Sequence, residues 1–238
     1  MTSSNQQYLA RYRAGECEAV WAELDALGDV AVDGPLAKEA KTVAHETMKR
    51  LLANVEAIAR NLVAAKYQLL LPAVTPAKPD AAANLAALEA LAGPLPLSLY
   101  AFYEIFDSVS LAQDVDAVID DSPILSEGLL DELGRCDPLV VVPLAQVLED
   151  ARRQKAAGSS PIHLYIAPDP LSKGSVDDEY PDENPARMKP RRAIDADLTG
   201  GATKTFVAWL RDYATQGGFA GSLPPADRAH LQSGTIPL

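Results

Sequence analysis

Only two cysteines, three histidines and three methionines occur in the 238 residues. Cys17 and Cys136 lie far apart and neither has a CxxC partner, which excludes a zinc ribbon and makes a reduced chain the simple reading. His45, His163 and His230 are equally scattered. His45-Glu46 begins like a zinc-protease motif, but no second histidine follows at the spacing that puts two ligands on one helix face. No apolar run approaches the ~18–20 residues of a membrane helix. The opening MTSSNQQYLARYR lacks a signal-peptide core, so a cytoplasmic protein is expected. The phosphate loop G-x-x-x-x-G-K-S/T, the dinucleotide turn G-x-G-x-x-G and the nucleophile elbow G-x-S-x-G are all missing. No catalytic residue, metal ligand or cofactor is therefore assigned from the sequence.

Positive charge is also short, and its deficit is local. The net charge is −12, and residues 81–170, with four basic and fourteen acidic side chains, account for −10 of it. Such a surface repels phosphates, which argues against a nucleic-acid partner. The densest part is DVDAVIDDSPILSEGLLDEL, with Asp114, Asp116, Asp120 and Asp121. A calcium loop counted from Asp114 would need an oxygen ligand at Val118 and a glycine at Ile119, so that motif is absent. Two readings remain for the four aspartates. They form a solvated loop that keeps the protein soluble, or they are contacts for a basic protein partner.

What the sequence does have is apolar periodicity. Hydrophobic residues make up 48% of the chain, enough for a packed core. The organising stretch is LAALEALAGPLPLSLYAFYEIFDSVSL, residues 85–111. Asp80 is placed to cap a first helix carrying Leu85, Leu88 and Ala92 on one face, and Gly93-Pro94 stops it. Pro96 then stands in the first turn of a second helix, where a missing N–H is tolerated. Leu99, Phe102, Tyr103 and Phe106 follow at helical spacing, and VSLAQ can begin a strand.

Before that stretch, residues 5–28 read as two short helices ending at Gly28. Asp33-Gly34-Pro35 opens a helix of about thirty residues, with Leu36, Ala40, Val43, Met48, Leu51, Val55, Ile58 and Leu62 on one side. KYQLLL, residues 66–71, reads as a strand, and the proline-rich AVTPAKPDAAA as a stiff linker. Beyond residue 113, Leu139–Val142 reads as a short buried strand and Leu144 to Lys155 as a helix. IHLYIAP forms an alternating strand, with His163 facing away from Ile162 and Leu164. Residues 169–190 look like a long excursion with few anchors, with short strands near Met188 and at Ala193–Ile194. Thr203 or Thr205 caps a helix that buries Phe206, Val207, Leu210 and Tyr213. Gly217-Gly218 ends it, and Phe219 can fold back onto the core. Residues 222–238 show no periodicity and are expected to hold little order.

A helix, an LP step, a helix with an FY pair and a strand, followed in order by DPLVVVPL (137–144), IAPD (166–169) and FVAWLRDYATQGGFAG (206–221), resembles the SMI1/KNR4 (SUKH) superfamily. The resemblance covers roughly Asn84 to Gly221. LSKGSVDDEYPDENPARMKP departs from it, because similar sequences place a Lys- and Gly-rich turn and a strand after IAPD. The expected fold is α+β: an N-terminal helical region (1–75) packed on a SUKH-like domain (76–221) with a small, mainly antiparallel sheet and flanking helices, then a tail (222–238). Leu99, Phe102, Phe106, Val140, Phe206 and Leu210 should share its core. That superfamily includes bacterial immunity proteins that neutralise toxins and a fungal regulator of cell-wall synthesis. The resemblance therefore implies a non-catalytic protein-binding module, with a basic toxin domain as the kind of partner and neither nucleic acid nor membrane. The competing class is a small-molecule-binding protein or enzyme with its site in the concave face of the sheet.

Overall fold

A computed structural model describes residues 7–113, 137–169, 173, 184–221 and 223–238. The long apolar periodicity folds as α4 (Ala37–Ala64), whose 28 residues span about 42 Å at 1.5 Å per residue. Ala40, Val43, Met48, Leu51, Val55, Ile58 and Leu62 are buried, as the spacing predicts, whereas Leu36 stands just before the helix and is half-buried. Three polar positions of the same helix, Glu39, Thr47 and Asn54, are buried with them. Each serves a neighbouring element. Glu39 Oε1 accepts the Tyr8 N–H at 2.6 Å and the Leu9 N–H at 3.3 Å, supplying partners to the first turn of α1 (Gln7–Arg13). Trp21 of α2 (Cys17–Ala26) donates its indole N–H to Thr47 at 3.0 Å. Gly28, at φ 53°, turns the chain between α2 and the one-turn α3 (Asp29–Val32), a conformation that glycine adopts without steric cost.

After α4 the chain reverses at Lys66, and the buried Tyr67 donates its hydroxyl to the Leu111 carbonyl at 2.9 Å. The strand expected over residues 66–71 is reduced to a single bridge, Leu69 to Gln113. The regular strand β1 (Val74–Pro76) lies instead within the stretch read as a linker. It pairs antiparallel with β2 (Phe106–Ser110), Val74 facing Val109 and Thr75 facing Ser108. Proline fits there because β1 is an edge strand, where a missing donor breaks no ladder.

The remaining helices and strands follow the apolar pattern closely. Helix α5 (Ala81–Ala92) ends at Gly93, φ 96°, and α6 (Leu97–Tyr103) begins after Pro96, which stands just outside the helix rather than in its first turn. Strands β3 (Asp137–Pro138) and β4 (Val140–Val141) straddle Leu139. Leu139 and Val141 are buried, whereas Val140 points away and is half-buried, which corrects its expected place in the core. Helix α7 (Leu144–Ala156) packs on α5 and on β5 (Leu164–Ala167). Strands β6 (Ala186–Met188) and β7 (Leu198–Thr199) complete a second three-stranded antiparallel sheet, order β5-β6-β7. The Val142 N–H reaches the Ile166 carbonyl at 3.0 Å and links it to the β1-β2-β4 sheet. Helix α8 (Phe206–Thr215) is capped by Thr205, not Thr203, through the Ala208 N–H. Strand β8 (Phe219–Ala220) pairs with β3 and buries Phe219 against Tyr67.

Of the excursion over residues 169–190, positions 170–172 and 174–183 lie outside the described residues; Lys173 is buried, and Ala186 and Met188 are buried in β6, near which a short strand is expected. One further expectation is corrected. The tail forms α9 (Pro225–Leu231), and Leu223, Leu231 and Leu238 are buried with it. Its apolar residues are too few to show a period, and their seats are provided by α4 and α8.

The fold is α+β. Residues on both sides of position 75 belong to one hydrophobic core, from Tyr12 and Val43 to Phe102 and Leu210. Its centre is a run of rings. Phe106 stacks on Phe102 at 4.7 Å, Phe102 meets Phe206 edge-on at 5.5 Å, and Trp209 bridges Phe206 and Tyr213. Phe102 is fully buried at the crossing of α6 and α8. Phe102→Ala is expected to lower stability by ~3–5 kcal/mol, read as a fall in the urea midpoint with the slope unchanged.

Candidate functional site

Three arrangements of charged and polar side chains within the described residues draw on partners far apart in the chain. The first is a recess of about 190 Å³ between α4 and α6. Lys41 and His45, one turn apart on α4, both face Glu104 at the end of α6. His45 Nε2 lies 2.7 Å from Glu104 Oε2, and Lys41 Nζ lies 3.4 Å from Glu104 Oε1. Leu97, Tyr100 and Ala101 form an apolar wall. The Tyr100 hydroxyl donates to Glu89 at 2.6 Å, and burial, then that carboxylate, push its pKa up, so it stays a donor. The recess can hold a small apolar group with a polar end. Its lining has no serine, threonine or cysteine nucleophile. In the sequence His45 stands beside Glu46. The structure turns Glu46 to Arg13 and Arg50 and gives His45 to Glu104, a partner no local spacing could have named.

The second is Asp195, buried between two helix N-termini. Its carboxylate accepts from the Ser98 hydroxyl at 2.7 Å and from the N–H groups of Ala196 and Val207 at 3.0 Å each. The carbonyls of Ala193 and Ile194 accept from Leu97 and Ser98 at the start of α6. The carbonyl of Ala196 accepts from Phe206 at the start of α8. Residues 193–194 were expected as a strand. They run irregularly because their carbonyls are used by a helix end rather than a sheet. Burial raises the Asp195 carboxyl above the usual range, against the donors that pull it down.

The third is a buried ion pair. Lys173 Nζ contacts the Asp137 carboxylate, the Pro138 carbonyl at 3.1 Å and the Tyr213 hydroxyl at 3.2 Å. Tyr213 donates to the other Asp137 oxygen. Burial, then Asp137, push the Tyr213 hydroxyl far above its ordinary pKa, so it remains protonated. Lysine in a polar excursion gave no sign of this role.

Asp114, Asp116, Asp120 and Asp121 lie outside the described residues. His163 is half-buried, and its main chain is held by Gln154 on both sides, at 3.0 Å through the N–H and 2.6 Å through the carbonyl. No cluster of three or more His, Cys, Asp or Glu side chains suited to a metal occurs among the described residues. No helix among them is long and apolar enough to cross a membrane.

The Asp195 environment fixes a pH dependence. The unfolded chain releases this proton near the ordinary value of 3.8, and the folded chain releases it at higher pH. Between the two, the folded state holds a proton that the unfolded state has lost, so this group's stabilisation falls as pH rises. Asp195→Asn cannot titrate. The stability difference between the wild type and the Asp195→Asn variant should be largest below about pH 4 and shrink above it, measured as paired urea midpoints across pH. A difference independent of pH would show that Asp195 ionises as in the unfolded chain.

Comparison with protein-family models, with curated proteins and with solved structures finds no match, so the reading of this site rests on the chain's own geometry.

Proposed function

We propose that the chain is a non-catalytic protein-binding module, of the immunity type that neutralises a toxin, and that its partner presents a basic surface. The observation that carries this reading is how the acidic surplus is distributed along the sequence. Seven acidic residues of the segment 81–170 lie among the described residues, and each has a partner within the chain. Glu89 takes Tyr100, Glu104 takes His45 and Lys41, and Asp107 takes Lys78 at 2.8 Å. Asp137 takes Lys173, Glu149 approaches Arg152, Asp150 takes Arg187, and Asp169 accepts the Asn184 N–H. The other seven fall in residues 114–136, against Arg135 alone, which gives that stretch a net charge of −6. A concentrated charge of one sign accelerates encounter with its opposite.

The resemblance to the SMI1/KNR4 superfamily supports the same class of function. A small-molecule-binding protein or enzyme with its site in a concave sheet face has less support. The strands are two to five residues long, and the recess between α4 and α6 lies on a helical seam.

Replacing Asp114, Asp116, Asp120 and Asp121 by Asn tests the reading against the partner recovered by affinity capture. The association rate is expected to fall by about tenfold at low ionic strength, with a smaller change in the dissociation rate. The wild-type rate should drop steeply with added salt and the variant's much less. Equal rates with equal salt dependence would reduce the acidic stretch to a solubility feature.

A further inference from the structure

After α9 the chain runs back along α4 and is gripped almost entirely by its main chain. Asn61 donates to the carbonyls of His230, Leu231 and Ser233 at 3.0–3.2 Å. Two turns earlier, Asn54 exchanges a pair of 2.8 Å hydrogen bonds with the N–H and carbonyl of Ile236. One turn further, Arg50 donates to the Pro237 carbonyl at 3.0 Å, and Arg211 of α8 donates to the Leu238 carbonyl at 2.8 Å. Positions 50, 54 and 61 share one face of α4. An amide that both donates to and accepts from one residue copies the pairing of a β-ladder, the means by which extended peptides are recognised irrespective of sequence.

Side chains of residues 232–238 contribute little to this grip. Ser233, Gly234, Ile236 and Pro237 are exposed, Ile236 by 44%, and Leu238 alone is buried. Pro237 and Leu238 line an open recess of about 310 Å³ together with Cys17 and Arg211. Cys17 is 4% exposed there, with Arg50 Nη1 3.5 Å from its sulfur. A segment held by polar contacts and one apolar side chain belongs to the low-stability end of a fold, because water replaces most of what it loses on opening.

We propose that the Arg50–Asn54 face of α4 is a docking groove for an extended peptide whose last seated residue is apolar, and that residues 235–238 are its releasable occupant, a strap beside Cys17. Gly234, at φ 84°, provides the bend that lets the strap leave while α9 stays docked through Leu231 and Asn61. The groove shares no residue with the acidic stretch 114–136, so the two proposals stand or fall separately.

The test uses the full chain with Cys136→Ser, so that thiol labelling reports Cys17. Leu238→Ser should raise the labelling rate by about tenfold or more, at a rate that hardly changes with urea below the unfolding transition, as a local opening requires. A synthetic peptide of sequence SGTIPL should slow labelling again, and adding Asn54→Ala should abolish that protection. Asn54→Ala alone, which favours the helix, provides a second release variant should Leu238→Ser fail to fold. Labelling that stays at the parent rate in both variants, or that rises with urea as steeply as global unfolding does, would overturn the strap. Faster labelling without protection by the peptide would overturn the groove.

Discussion

Two aromatic helices, α6 and α8, can cross inside this protein only because their N-termini are supplied with acceptors. A helix start leaves N–H groups without intrahelical partners, and burying them unpaired is costly. The segment 193–196 meets that demand for both helices at once, through the carbonyls of Ala193, Ile194 and Ala196 and the carboxylate of Asp195. Ser98 and Asp195 then lock the two ends together at 2.7 Å. The ring contacts from Phe106 to Tyr213 are consequences of that placement.

The same principle recurs on α4. A 28-residue helix touched by α1, α3, α6, α8 and α9 buries polar as well as apolar positions. Its buried polar residues accordingly serve other elements' main chain or side chains: Glu39 the start of α1, Thr47 the indole of Trp21, Asn54 the backbone of Ile236. Buried polar groups of this kind specify which neighbour sits where, since an apolar face alone would accept several arrangements. The long helix is thus a template as well as a core element, and the strap beside Cys17 is one of the pieces it positions.

The charges divide along similar lines. Several acidic residues of the folded frame are paired with cations of the same chain, as Asp107 is with Lys78 and Asp150 with Arg187. The protein-binding proposal places recognition in residues 114–136, while the groove lies on α4.

Elements with a local signal were legible before folding was considered. The apolar period of residues 36–62 marked α4, Gly93 and Gly28 marked their turns, the ring spacing marked the buried side of α6, and Thr205 was one of two candidate caps for α8. Those features depend on residues within a turn or two of one another, so composition and spacing suffice. Whatever depends on a distant partner was settled by the tertiary structure. It moved the first strand from residues 66–71 to Val74–Pro76, because β2 offered its edge there, and it ordered the tail on Asn54 and Asn61. It joined His45 to Glu104, and Lys173 to Asp137, across 59 and 36 residues of chain. A titratable side chain carries no mark of its partner in the sequence, because the free energy of pairing arises only when folding removes both groups from water.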